Sequence, residues 1–161
     1  MYLKSKYDDT DIDKISQKET KTLELNAKEL YHESGWYLEA GETYRFYVVE
    51  KKPLYDRNIP SPGVGGFNSA FPKSWIKRFI MKLFEPFRRR PHDNWLALVG
   101  GVKAENESIK QINVKSDNFF LIENETEIKV HTSGEFICFF NDVKFMYYNN
   151  KGSVSITIQK V

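Results

Sequence analysis

The stretch that decides the fold is Gly134-Glu135-Phe136-Ile137-Cys138-Phe139-Phe140-Asn141-Asp142-Val143-Lys144-Phe145-Met146-Tyr147-Tyr148-Asn149-Asn150-Lys151-Gly152-Ser153-Val154-Ser155-Ile156-Thr157-Ile158. Its final run alternates, with Val154, Ile156 and Ile158 opposite Ser153, Ser155 and Thr157, as expected of a strand with one buried and one wet face. Glu135 to Phe140 reads as a second strand, ending at Asn141-Asp142. The same rhythm extends back along the chain. Leu23 and Leu25 alternate with polar residues, and Tyr44, Phe46 and Val48 share one face of a run ending near Lys51. Further short strands are expected at Trp95 to Val99, Phe119 to Ile122 and Ile128 to Val130. Turn residues punctuate these runs at Ala40-Gly41-Glu42, Gly100-Gly101, Ser133-Gly134 and Asn149-Asn150-Lys151-Gly152, a spacing that favours a sandwich or barrel.

Composition agrees with strand-rich globular protein: 161 residues, 40% apolar, 29% charged and 15% aromatic are enough for one hydrophobic core. The division expected is a polar lead-in over residues 1–20 and one β-sandwich domain over 21–161. A net charge of +2 is too mild to imply nucleic-acid binding by the chain as a whole. Cys138, the single cysteine, sits in an apolar run and reads as a buried, inert thiol. Met1 to Asp13 lacks the apolar core of a signal peptide and no segment approaches a membrane-spanning length, so the expected location is cytoplasmic, unless export follows a signal-independent route. The acidic run Asp8, Asp9, Asp11, Asp13 suggests an EF-hand loop, but Lys14 and Thr20 stand where its glycine and terminal glutamate belong.

One segment breaks the strand rhythm. After the proline- and glycine-rich loop Ile59 to Gly66, the positions Ile76, Phe79, Ile80, Leu83 and Phe84 recur at helical spacing between Pro72 and Pro86. An inserted amphipathic helix around residues 73–85 is expected. Lys73, Lys77, Arg78 and Lys82 fall mostly on its other side, and Arg88, Arg89 and Arg90 follow at once. Two readings fit. The apolar stripe packs on its own domain with the lysines as its solvated face, or the helix and arginines meet an anionic surface, a membrane or a partner protein.

The loop after Phe140 carries the chemistry. Asp142 offers a carboxylate, Asn149 and Asn150 offer amide oxygens, and the curled backbone offers carbonyls, a mixture that suits calcium. The same residues also make an ordinary turn and a loop cap, and composition alone leaves both open.

On these residues the sequence resembles the galactose-binding, calcium-dependent lectin family of Pseudomonas and its relatives, which have a small jelly-roll-like β-sandwich. The resemblance rests on Asn141-Asp142-Val143 and Asn149-Asn150 at the family's separation, with an alternating terminal strand. It extends more weakly to Leu38-Glu39-Ala40-Gly41-Glu42-Thr43, within Trp36 to Phe46, and to Leu98-Val99-Gly100. It implies an all-β, jelly-roll-like sandwich and a calcium ion held by the side chains of Asp142, Asn149 and Asn150 with the Met146 carbonyl. A further carbonyl is implied near Leu54 or Tyr55, here assigned to Tyr55. In that family the sugar's vicinal hydroxyls complete the metal's coordination, so Asp142, Asn149 and Asn150 are also the implied sugar contacts. The family's histidine-proline-aspartate-glutamine element has no counterpart; the basic helix occupies roughly its place.

His32, His92 and His131 lack zinc-type spacing, and no nucleophile–base pairing stands out. The function expected is calcium-dependent carbohydrate binding without catalysis. The competing expectation is an interaction module that uses residues 73–90 on a membrane or a protein.

Overall fold

The computed structural model describes residues 13–161 apart from Lys18; Asp8, Asp9 and Asp11 of the acidic run lie outside the described residues. In chain order the elements are β1 (Asp13–Lys14), β2 (Thr20–Asn26), β3 (His32–Leu38), β4 (Thr43–Asp56) and β5 (Ile59–Pro60), then helix α1 (Trp75–Phe84) running into a 3-10 turn (Glu85–Phe87). There follow β6 (Leu98–Ala104), β7 (Phe119–Leu121), β8 (Glu125–Lys129), β9 (Gly134–Phe140), a 3-10 turn (Tyr147–Asn149) and β10 (Asn150–Lys160). One sheet has the order β1-β3-β9-β6-β7; the other has β2-β10-β4-β5, with β8 also on β4. Apart from the short parallel β1–β3 pair, the pairings are antiparallel. The chain is an all-β sandwich with one inserted helix.

Alternation decides which faces meet. Leu23, Leu25, Tyr44, Phe46, Val154, Ile156 and Ile158 from one sheet pack on Leu38, Leu98, Val102, Phe136, Cys138 and Phe140 from the other. Strand β9 is buried along its whole length, because its outer residues Ile137 and Phe139 lie under a second apolar cluster with Val99, Val114 and Phe119. Cys138 is a buried free thiol, and burial pushes its ionisation far up, so it behaves as a small apolar residue.

Within the sandwich the strand assignments differ from the sequence reading at several points. Gly100-Gly101 is not a turn but the middle of β6, where a Cβ on Gly100 would meet Ile122 at 2.6 Å and one on Gly101 the Phe119 ring at 2.3 Å; these glycines make room for neighbouring side chains. The strand expected from Trp95 begins at Leu98, since Trp95 to Ala97 form a buried loop that bonds to Phe67 and Asn141. The lead-in is not polar throughout its length: β1 pairs with β3 and Ile15 enters the core.

Candidate functional site

Strand β10 opens with a bulge, not a turn. Gly152 has φ +105°, and a Cβ there would lie 2.4 Å from the Pro53 carbonyl. The bulge lets Asn150 and Lys151 continue the ladder against Asp56 and Tyr55 of β4 after the register shift. The tip of the β4–β5 hairpin is thereby fixed beside the start of β10, and the Arg57 N–H donates to the Asn149 carbonyl at 3.1 Å.

Asn141 clamps the other side. Its fully buried amide oxygen accepts from the Arg90 N–H at 2.9 Å, and its NH2 donates to the carbonyls of Arg90, Asp93 and Asn94. The chain returning from α1 is therefore tied to the end of β9, next to Asp142. The Asp142 carboxylate, 1% exposed, accepts from the Val143 N–H at 2.6 Å and from the Asn150 NH2 at 2.8 Å. The same Asn150 NH2 reaches the Ala27 carbonyl at 3.2 Å, which leaves the Asn150 Oδ1 buried and without a partner. Both polar side-chain atoms of Asn149 are buried and unpartnered as well. Buried amides normally find partners, so the orphaned atoms of these two consecutive asparagines call for an occupant or a function.

Asp56 completes the group, and sequence reading missed it. Its carboxyl is 5% exposed and shares a cavity wall with Asp142. Burial pushes its pKa up to about 7, the charge of Asp142 adds to this, and Arg57 opposes it. Burial also raises Asp142, against the hydrogen bonds from Val143 and Asn150 and the charges of Arg57 and Arg89. Asp56-Arg57-Asn58 between strand residues is a hairpin signal, but only the β4–β10 register brings that hairpin to the Asp142 loop. Tyr55 sits one residue before Asp56, opposite Lys151, whereas the Leu54 carbonyl already accepts from the Ser61 N–H at 2.8 Å. The Met146 carbonyl accepts from the Asn149 N–H at 3.3 Å and retains a second lone pair.

The cavity here is about 270 Å³, with Asp56, Asp142, Arg57, Asn58 and Lys77 as polar lining and Ile80, Met81 and Phe84 of α1 among its apolar lining. A polar floor with an apolar wall is the usual character of a small-molecule site. Among the described residues no three His, Cys, Asp or Glu side chains gather into a metal-binding group; Asp56 and Asp142 are the two carboxyl groups at the cavity.

The cationic candidates divide. Arg88 and Arg89 are buried and do not belong to a surface patch. Arg88 lies over the Trp95 ring, 4.8 Å from its centroid, and donates to the Pro91 carbonyl at 2.6 Å. Arg89 lies over Phe139 and Tyr31, 3.8 and 4.0 Å from their centroids, and donates to the Leu30 carbonyl at 2.5 Å and the Tyr147 hydroxyl at 3.0 Å. Arg90 pairs with Asp93 and donates to the Val114 carbonyl. Their guanidiniums hold the insert to the sandwich, where carbonyls and aromatic faces replace most of the lost water, the Arg89 Nη2 alone being buried without a partner among them. Lys73, Arg78 and Lys82 are exposed, and Lys77 is half-buried at the cavity. The apolar stripe of α1 does not pack on the domain in the expected way: Met81 is its buried residue, while Trp75, Ile76, Phe79 and Leu83 face outward. Among the described residues no helix is long and apolar enough to cross a membrane.

No protein-family model and no curated protein matches this chain. Among solved structures it resembles one described as "EclA N-terminal domain; PllA-like lectin", at 17% identity and a TM-score of 0.52, over 87% of this chain and 95% of that one. At that identity the likeness establishes the shared sandwich fold.

Proposed function

We propose that the chain is a carbohydrate-binding module whose ligand is held through a calcium ion, with no catalytic step of its own. The observation that carries the reading is the Asn150 amide, which donates to the buried Asp142 carboxylate at 2.8 Å, leaves its own oxygen orphaned and stands opposite Asp56 in the β4–β10 ladder. Burial and the charge of Asp142 disfavour ionised Asp56 even with Arg57 opposing them, and a hard divalent cation, which would reverse that balance, uses carboxylate, amide and carbonyl oxygens together. Asp142, Asn149, Asn150 and the Met146 and Tyr55 carbonyls would hold it, and Asp56 would add a second carboxylate. When bound, calcium supplies positive charge and open coordination positions for vicinal hydroxyls. Asp142, Asn149 and Asn150 would accept hydrogen bonds from the same ligand, and the cavity wall of Ile80, Met81 and Phe84 suits the apolar face of a sugar ring. The description of the structural neighbour as a lectin supports this reading. Galactose is not singled out, because the chain lacks the family's histidine-proline-aspartate-glutamine element.

Titration calorimetry with calcium, followed by a glycan array with calcium and with chelator, tests the proposal. Calcium binding with chelator-sensitive glycan binding is expected. Absence of calcium binding, or glycan binding that chelator leaves unchanged, would overturn it.

A further inference from the structure

The outward face of α1 is built the wrong way round for a helix packed on its own domain. Trp75, Phe79 and Leu83 follow one another at four-residue spacing and form a line along the helix. Ile76 widens this line, and Phe87 lies beyond it on the following 3-10 turn. These five side chains are between 51% and 71% exposed. Isolated exposed apolar residues are ordinary, but a contiguous ridge of this bulk marks an interaction surface.

The charges choose the occupant. The ten residues of α1 include Lys77, Arg78 and Lys82 and no carboxylate. Arg78 and Lys82 form the adjacent row at four-residue spacing, and Lys73 precedes the helix. Glu85, the acid that follows, is engaged by Lys82 at 2.9 Å and Arg88 at 3.4 Å. A second copy of the chain laid ridge to ridge would bring cations against cations. None of the five ridge residues lines the cavities beside the insert, so the ridge itself offers no groove for a peptide. An anionic bilayer needs no shape complement and meets both features: aromatic side chains enter the headgroup region while lysine and arginine reach phosphates at its edge.

We propose that α1 is a membrane-surface anchor that docks the domain on anionic lipid through Trp75, Ile76, Phe79, Leu83 and Phe87, with Lys73, Arg78 and Lys82 on the headgroups. The inner side of the same helix lines the Asp56–Asp142 cavity, so docking brings that cavity close to the bilayer. Nothing in the docking depends on calcium or on a sugar.

The test is co-sedimentation of the full chain, in chelator, with vesicles of phosphatidylcholine containing about a third phosphatidylglycerol, and with phosphatidylcholine alone. Binding to the anionic vesicles is expected at low salt, with at least about tenfold weaker binding to the neutral ones and of the Phe79→Glu/Leu83→Glu variant to either. Tryptophan emission should shift to the blue on binding, and Trp75→Phe should remove most of that shift while binding is kept. Failure to bind anionic vesicles, equal binding to both compositions, or unchanged binding of the double variant overturns the proposal. So does a dimer in sedimentation velocity that the double variant converts to monomer, because the ridge would then be occupied by a second copy. Both substituted residues are exposed, so thermal unfolding of the variant should match that of the parent chain.

Discussion

Two neighbouring regions of the insert and its anchor invert the ordinary rule of apolar inside and charged outside. Arg88, Arg89, Asp56 and Asp142 are buried, while Trp75, Phe79, Leu83 and Phe87 are exposed. The difference shows that burial follows available partners more than residue type. The guanidiniums go inside because carbonyls and aromatic faces wait for them at the junction of insert and sandwich. The ridge stays outside because Met81, with Phe84, already fills the inward side of the helix. Each region has its own driving force, and each can be perturbed separately.

The largest effect is expected inside. Arg89→Ala removes the donor to Leu30 and Tyr147 and the cation between two rings, and urea denaturation should show a loss of about 3 kcal/mol or more, as for one partner taken from a buried polar network. A loss below about 1 kcal/mol would break the comparison, for it would make Arg89 an ordinary surface cation.

Next comes the carboxylate. With calcium at about a hundred times its dissociation constant the parent chain should gain about 2.7 kcal/mol of apparent stability, and Asp142→Ala should abolish that gain in a thermal-shift measurement. A thermal shift equal to the parent's would remove Asp142 from the ligand set.

The pH dependence is spread over several units, so its change per unit of pH is smaller, about 1.4 kcal/mol at most for one group. An acid whose folded pKa is raised binds more protons folded than unfolded, so its stabilising contribution is complete below the unfolded value and is lost as pH rises through the folded one. For Asp56 that window runs from 3.8 to about 7, and Asp142 acts in the same direction. In chelator the melting temperature should therefore fall across this window, and Asp56→Asn should flatten part of the fall. The stabilisation by calcium should grow over the same range, since ionised carboxylates bind the cation. A metal-free profile identical in parent and variant would show that Asp56 does not titrate in the cavity.

The smallest effect belongs to the ridge. In the absence of lipid, Phe79→Ser and Leu83→Ser should each change unfolding free energy by no more than about 0.5 kcal/mol, the usual range for exposed positions. A loss of several kcal/mol would place the ridge in the core and sharpen the contrast away.

Much of the sandwich was legible locally. Val154, Ile156 and Ile158 are fully buried, as their alternation requires, and α1 falls inside the expected span 73–85. Period alone cannot say which way a helix faces, because a stripe has the same spacing whether it meets a core or solvent. The role of Gly100-Gly101 was hidden for a related reason. Glycine signals a turn in isolation, but here it answers to the Phe119 ring and to Phe120, Phe136 and Ile122, which local sequence does not place. Of the candidate site, the residues in the Asp142–Asn150 loop were readable because they are close in the chain. Asp56 was not, since its position depends on β4 pairing with β10.

The sequence by itself determined the strand periods, the existence of the helix and the oxygen-rich loop after β9, because these follow from side-chain spacing within a few residues. Only the tertiary structure decided that Asp56 joins that loop, that two arginines are buried and that an apolar ridge faces out. Those outcomes depend on which distant groups supply partners, and chain pairing alone brings such groups together.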